Sequence, residues 1–145
     1  MNADEALDFL SQNQPMPSDD ILSKHEIDKY DEVRRYFIHA PDVRAIGLFL
    51  RSYGEGNGWG VYQLVEDFFY QCNPNDVRQE IQNILEDRDT PASVRYWVTQ
   101  VSAAFSNEIL RPGLEISLES ENIDIKEAAK IALSILNEFL SNDIK

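Results

Sequence analysis

One loop of this sequence concentrates residue types that could bind a ligand. Residues 54–60 read GEGNGWG and hold four of the six glycines in the chain. Alternating glycines can present backbone N–H groups to a phosphate, but this loop follows a predicted helix, lacks the Lys-Ser/Thr ending of a P-loop and carries Glu55. We therefore expect no phosphate here. Two interpretations remain. The loop is a flexible connector with Trp59 in the core, or it contacts a partner through the amphipathic anchors Tyr53, Trp59 and Tyr62.

The other residues that could do chemistry are scattered. His25 and His39 have no second ligand at helical spacing, whereas a metal site needs three or four convergent ligands. Cys72 is the single cysteine, so no intrachain disulfide can form, and we expect a buried, inert thiol in a reducing cytoplasm. The sequence contains no nucleophile elbow and no P-loop. It therefore predicts no metal, no cofactor and no enzymatic activity.

The net charge of −13 is concentrated toward the two ends of the 145-residue chain. Residues 1–32 hold nine acids and two lysines, residues 33–111 ten acids and eight arginines, and residues 112–145 seven acids and three lysines. Such a field repels nucleic acid and anionic membranes and favours a basic protein partner. No apolar run is long enough to span a bilayer, and residues 1–12 do not form a secretory signal. We therefore expect a cytoplasmic protein that is monomeric when free.

The clearest predicted helix covers residues 90–105. Thr90 is placed to cap it and Pro91 suits the first helical position. An apolar stripe at three- and four-residue spacing follows. Its members are Val94, Trp97, Val98, Val101, Ala104 and Phe105.

Helical signals also organise the rest of the chain, and we find no convincing strand. Asn2 is placed to cap a helix over residues 3–11. We expect a second helix from Ser18 to about His39, with Asp19 and Asp20 in its first turn, a third after Pro41, and a central, largely apolar helix over residues 61–72. Asn73 with Pro74 starts the next helix, whose apolar stripe is Val77, Ile81, Ile84 and Leu85. A short helix near residues 107–111 and a last helix capped by Asp124 complete an all-α prediction. The inward face of that last helix is predicted to hold Ile125, Ala128, Ala129, Ala132, Ile135, Leu136 and Phe139.

A repeat appears when the helix of residues 90–105 is laid over the last helix at an offset of 31 residues. Val98 then aligns with Ala129, and Val101 aligns with Ala132. An apolar segment that ends in an acidic turn precedes both of the aligned helices. This pattern resembles HEAT-like repeats. The resemblance implies a single domain over residues 1–145, a short right-handed α-solenoid of helical hairpins. Its parts are an N-terminal helical cap (1–40), a degenerate repeat (41–72) and two repeats (74–105 and 107–140).

The resemblance also implies a surface for another macromolecule. Arg95 is expected to reach back to Asp87 or Asp89 in the preceding turn. The chain is similar in type to small acidic immunity proteins that neutralise a basic bacterial toxin, such as a nuclease. The alternative is a general HEAT-like adaptor or regulatory scaffold for a protein or peptide ligand. A nucleic-acid binder is disfavoured because it needs a basic face. The predicted partner-binding residues are Tyr53, Glu55, Asn57, Trp59, Tyr62, Glu86, Asp87 and Asp89.

Overall fold

The structure is a computed structural model that describes the backbone of residues 1–144 and the side chains of residues 1–140. Within residues 1–144 it is all-helical and has no strand, which confirms the predicted all-α class. Short 3₁₀ turns occur at Gly58–Gly60, Tyr62–Leu64, Ala103–Phe105 and Glu108–Leu110. The α-helices are α1 (Ala3–Ser11), α2 (Lys24–His39), α3 (Arg44–Leu50), α4 (Glu66–Phe69), α5 (Pro74–Glu86), α6 (Ala92–Ser102), α7 (Arg111–Leu118) and α8 (Ile123–Ile144).

Contacts between Cα atoms divide the chain into two compact units, Met1–Val77 and Arg78–Lys145. The predicted single domain and its repeat boundaries stay predictions. No helix among the described residues combines the length and the apolar character needed to cross a lipid bilayer.

In the first unit, α1 packs on α2 and α3, and α2 packs on α4. The core is aromatic. Phe49 lies 5.1 Å from Phe68 and 6.0 Å from Phe37, measured between ring centroids. Tyr30 also meets Phe49 edge to face. Such pairs add to the area that the rings bury.

Two helices of the first unit, α1 and α2, begin at side-chain caps. Asn2 caps α1 as predicted, because its side chain accepts a hydrogen bond from the Glu5 N–H at 2.9 Å. The predicted start of the second helix at Ser18 is wrong. Ser23 is the N-cap and forms a complete capping box with Glu26, so α2 begins at Lys24. The Asp19 carboxylate, which we expected in the first helical turn, binds elsewhere, as described below.

The predicted continuous helix over residues 61–72 is also wrong. The segment starts as a 3₁₀ turn, with the Val65 N–H bonded to the Tyr62 carbonyl and the Phe68 N–H to the Val65 carbonyl. Three residues per turn align Tyr62, Val65 and Phe68 on one side, and all three are buried. Leu64, which an α-helical stripe would bury, is instead 40% exposed.

In the second unit, α6, α7 and α8 pack on one another. The predicted stripe of α5 is confirmed, since Val77, Ile81, Ile84 and Leu85 are buried. Gly113, in α7, lies so close to α5 that an added Cβ would overlap the Leu85 side chain. Glycine at position 113 therefore permits the close approach of these two helices.

The predicted caps of α6 and α8 are wrong. Pro91 occupies the cap position of α6, and the Thr90 hydroxyl donates instead to the Ile84 carbonyl at 2.7 Å. At α8, the Asn122 side chain accepts from the N–H groups of Asp124 and Ile125 and so takes the capping role we gave to Asp124. A neighbouring side chain therefore replaces the predicted cap at α8, whereas α6 begins without a side-chain cap.

The apolar stripes of α6 and α8 are only partly buried. Val94, Val98, Val101 and Phe105 are buried as predicted, but Trp97 is half-buried and Ala104 exposed. On α8 the buried face ends at Leu136, and Phe139 is 59% exposed. Helical periodicity correctly predicted which side of each helix is buried. It did not predict how far along the helix the burial extends.

Candidate functional site

The glycine loop of residues 54–60, at the end of α3, adopts a backbone that few residues can follow. The φ angles of Gly56, Gly58 and Gly60 are 103°, 59° and 92°. Trp59, between two of these glycines, has φ 52° and ψ 36°, and it is the one non-glycine residue with positive φ in the described chain. The left-handed region costs an ordinary L-residue about 1–2 kcal/mol. Trp59 is therefore held there by its surroundings.

The Asp19 carboxylate holds the loop in this conformation. One oxygen accepts from the Asn57 N–H and the other from the Gly58 N–H, both at 3.0 Å. A Cβ at position 56 would overlap the same carboxylate, so the loop can close around it only as glycine. The alternating glycines thus do form an anion cradle, and the anion it holds is a carboxylate of this chain.

Further hydrogen bonds join the two segments. The Asp19 N–H donates to the Glu55 carbonyl at 3.0 Å, and the Trp59 indole Nε1–H donates to the Asp19 carbonyl at 3.4 Å. Within the loop, the Asn57 side chain accepts from the Gly60 N–H at 3.2 Å. Both the backbone of the loop and the edge of the Trp59 ring are therefore fixed by Asp19.

Tyr53 and Tyr62 must be removed from the predicted partner-binding set. They are 0% and 1% exposed. Their rings meet edge to face inside the first unit, with a centroid distance of 5.4 Å. The Tyr62 hydroxyl accepts from the Gly54 N–H at 3.1 Å and so supports the loop from beneath. Burial raises the pKa of Tyr62 to about 12, and the Gly54 hydrogen bond opposes part of that increase.

Gly58 allows the loop to lie directly on Tyr62. An added Cβ there would come within 2.5 Å of the Tyr62 ring. Below it, the Tyr30 and Ser52 hydroxyls lie 2.6 Å apart and hydrogen bond. Burial raises the pKa of Tyr30 far above its ordinary value. The loop therefore rests on a layer of neutral, buried tyrosines.

Glu55, Asn57 and Trp59 remain exposed, as a partner-binding role requires. Trp59 is 50% exposed, which rules out the interpretation that places it in the core. The structure adds two exposed residues that the sequence reasoning missed, Asp20 and Ile21. Both follow Asp19 directly, and Ile21 is 73% exposed. In the sequence, Asp19 and Asp20 resemble the acids of the first turn of a helix. Only Pro15 and Pro17, which precede them, indicate that the segment is not helical.

The other predicted residues, Glu86, Asp87 and Asp89, lie in the second unit and are exposed. The Asp87 carboxylate accepts from the Asp89 N–H at 2.9 Å. The Asp87 carboxylate therefore stabilises the conformation of this turn. The three acids lie together, at the end of α5 and in the turn that follows it.

Arg95 anchors that turn in a way the sequence did not predict. It is 6% exposed, and its guanidinium donates to the carbonyl oxygens of Leu85 and Asp87 at 2.9 and 2.7 Å and to the Ser117 hydroxyl at 2.8 Å. Burial lowers its pKa, while the Asp87 charge opposes that decrease. The hydrogen bonds that we expected to acidic side chains are thus made to backbone carbonyls of the same turn.

The remaining candidate reactive groups are one cysteine and two histidines. Cys72 is half-buried rather than buried as expected, and partial burial together with the nearby Asp76 charge raises the pKa of its thiol to about 11. The Cys72 Sγ–H donates to the Phe68 carbonyl at 3.4 Å. His25 and His39 are exposed. Among the described residues, no three His, Cys, Asp or Glu side chains converge as metal ligands would.

Comparison of this chain with protein-family models, with curated proteins and with solved structures gives no match. The most distinctive site of the chain is the exposed Trp59, whose indole N–H donates to Asp19. Asp20, Ile21 and Glu55 are exposed residues of the two segments that the hydrogen bonds of Asp19 join.

Proposed function

We propose that this chain is a non-catalytic, acidic protein-binding module of the immunity or inhibitor type, which neutralises a basic toxin such as a nuclease domain in a reducing cytoplasm. The observation that carries the proposal is Trp59. A large aromatic side chain stands 50% exposed on a left-handed backbone that the rest of the unit holds in place. Exposed, rigid aromatic anchors dominate the free energy of many protein interfaces.

The charge of the chain supports a basic partner. Residues 1–77 hold 14 acids and six bases, a net charge of −8, and residues 78–145 hold 12 acids and seven bases, a net charge of −5. Both units therefore attract a cationic surface, which accelerates encounter and makes binding sensitive to salt. Occlusion of a cationic active site by such a surface would inhibit a nuclease.

The HEAT-like solenoid is the scaffold that we propose for this module. One contact in the second unit supports it. The Arg88 guanidinium donates to the Glu119 carboxylate at 3.2 Å, and these residues are 31 positions apart in the sequence. That separation equals the offset of the proposed repeat, and stacked repeats bring equivalent positions side by side.

The decisive experiment is purification of the chain with its partner from its native cells at low and at high salt. We expect a basic protein that is lost as salt rises. The purified chain should abolish the activity of that protein at one-to-one stoichiometry. Glu55→Lys should weaken binding, whereas Glu121→Lys, at an exposed site in the second unit, changes the net charge equally and serves as the control. Recovery of no basic partner, or inhibition without binding, would contradict the proposal.

A second function, a general HEAT-like adaptor, is favoured by apolar surface on α8. Ile123, Ile131 and Phe139 are each about 60% exposed. An adaptor of this kind would bind through apolar contacts that salt does not weaken. Salt-resistant binding that Phe139→Ser abolishes, and that Glu55→Lys leaves intact, would favour the adaptor over the inhibitor.

A further inference from the structure

We infer that Trp59 is the platform on which an arginine side chain of the partner stacks, with Asp20 and Glu55 as the neighbouring acids. This inference rests on the proposed function and specifies the chemistry of its contact. It starts from the exposed indole. Both Trp59 and Trp97 could present a ring, but Trp59 is exposed in a loop and Trp97 is half-buried on α6.

The ring of Trp59 is oriented before any partner arrives. Its Nε1–H donates to the Asp19 carbonyl, and the Asp19 carboxylate fixes the N–H groups of Asn57 and Gly58, the two residues directly before the tryptophan. A ring that is already ordered loses little conformational entropy on binding. Because the N–H edge is used within the chain, the accessible part of the indole presents mainly its carbon surface.

The carbon face of an indole attracts cations. Its π electrons make the face negative, and tryptophan is the strongest of the aromatic residues in this interaction. The segments beside the ring reinforce this preference. Residues 18–23 and 54–63 contain Asp19, Asp20 and Glu55 and no lysine or arginine. Asp20 and Glu55 are exposed, so their carboxylates are available to a cation at this surface.

The geometry favours arginine over lysine. A guanidinium is planar, stacks on an aromatic face and is more weakly hydrated than an ammonium group. Its N–H fork can reach a carboxylate while its plane lies on the ring. Ile21, 73% exposed beside the acids, offers apolar surface for the aliphatic part of the same side chain.

The test uses the whole chain, labelled with ¹⁵N, and three short peptides that alternate glycine with arginine, lysine or citrulline. Citrulline keeps the shape of arginine without its charge. Nuclear magnetic resonance follows the two indole N–H signals at low ionic strength, with Trp97 as the internal reference. We expect the arginine peptide to shift the Trp59 indole and the Asn57 and Gly58 amides saturably. The lysine peptide should bind more weakly, and the citrulline peptide should shift none of these signals.

Variants then test the role of the ring. Trp59→Leu should weaken the arginine peptide about two- to thirtyfold, the range expected for a cation on an aromatic face. Trp59→Tyr should restore part of that affinity. Circular dichroism confirms that each variant is folded. Trp97→Phe, in the second unit, should leave peptide affinity unchanged.

Three outcomes would overturn the inference, and they bear differently on the proposed function. Equal binding of the citrulline peptide shows that charge is not recognised at Trp59. Unchanged affinity of Trp59→Leu, with salt-sensitive binding still present, places basic recognition elsewhere and leaves the proposed function standing. If neither charged peptide shifts the Trp59 signal, the inference fails, and salt-dependent capture of a basic partner then tests the proposed function independently.

Discussion

The two units use charged side chains differently. The second unit buries the cation of Arg95. The first unit buries neutral tyrosine hydroxyl groups, and its Asp19 carboxylate binds a surface loop. Arg95 is 6% exposed and satisfies two backbone carbonyls at the turn after α5. In the first unit, Tyr30 and Tyr62 are buried and Asp19 binds the backbone N–H groups of the glycine loop. In the second unit the side chain of Arg95 donates hydrogen bonds to backbone carbonyl groups. In the first unit the side chain of Asp19 accepts hydrogen bonds from backbone N–H groups.

This difference separates a residue that stabilises the interior of a unit from one that sets the shape of a surface. Arg95 lies among regular helices, and its three hydrogen bonds remain inside the unit. The bonds of Asp19 also remain inside the unit, but they fix an exposed aromatic ring. Substitution of Arg95 should therefore affect mainly stability, and substitution of Asp19 mainly the shape of a surface.

The largest expected effect is that of Arg95→Met. Loss of three hydrogen bonds from a buried cation leaves the Leu85 and Asp87 carbonyls unsatisfied and should lower the free energy of unfolding by about 3 kcal/mol. Arg88→Met is the matched control, because the Arg88–Glu119 pair is exposed and worth about 0–1 kcal/mol. Urea unfolding measures both. Equal losses for the two variants would show that Arg95 has no special structural role.

The buried tyrosines of the first unit predict a loss of stability at alkaline pH. The pKa of Tyr62 is about 12 in the folded chain, above the ordinary value of 10.0. The folded state therefore binds more protons than the unfolded state in this window. The contribution is complete below pH 10 and is lost as the pH rises from 10 to 12.

Urea midpoints measured across that range, with tyrosinate absorbance as the second signal, test this prediction. Tyr62→Phe should reduce the pH dependence, and Tyr30, whose pKa burial also raises, should account for part of what remains. It should also lower stability at neutral pH by about 1–3 kcal/mol, since the Gly54 N–H loses its acceptor. A midpoint that does not change between pH 10 and 12 would contradict the burial of these hydroxyls.

A smaller and more local effect is expected for Asp19→Asn. The amide keeps one acceptor oxygen but turns an NH₂ group toward a backbone N–H, so one of the two loop hydrogen bonds is lost at a cost of about 1–2 kcal/mol. Hydrogen exchange should become faster at the Asn57 and Gly58 amides. Asp20→Asn removes the same charge from the adjacent exposed position and should leave those amides protected. Similar exchange in both variants would mean that Asp19 does not hold the loop.

The smallest expected effect is that of Trp59→Gly on stability. Relief of the left-handed backbone, about 1–2 kcal/mol, offsets the flexibility of glycine, about 0.5–1 kcal/mol, and the loss of the long indole hydrogen bond. The net change should stay within about 1 kcal/mol. Leu64→Gly, at an exposed site in a right-handed 3₁₀ turn, should cost about 1 kcal/mol. A larger loss for Trp59→Gly would make the ring a structural element of the first unit.

The sequence predicted most reliably where structure depends on neighbours within one or two turns. The Asn2 cap of α1 and the buried stripe of α5 are examples, because side-chain caps and helical periodicity act over three or four residues. It was less reliable where two local solutions compete. Ser18 and Ser23 both offer a cap, and only Ser23 has Glu26 at the third position to complete a capping box.

The candidate site could be predicted only in part. Glu55, Asn57 and Trp59 are exposed, as a partner-binding loop requires, whereas Tyr53 and Tyr62 are buried beneath it. Exposed and buried tyrosines look alike in a sequence, since an aromatic ring with a hydroxyl group suits both an interface and a satisfied core. Ile21 and Asp20 were missed because their contribution depends on the position of a loop about 40 residues away.

The sequence by itself determined the all-α class, the acidic field and the glycine loop, because composition and short-range periodicity suffice for all three. Only the tertiary structure decided what that loop holds. The Asn57 and Gly58 N–H groups could have held a phosphate or faced solvent, and the fold supplies Asp19 from 38 and 39 positions away instead. That long-range carboxylate fixes the left-handed backbone of Trp59 and leaves its ring at the surface.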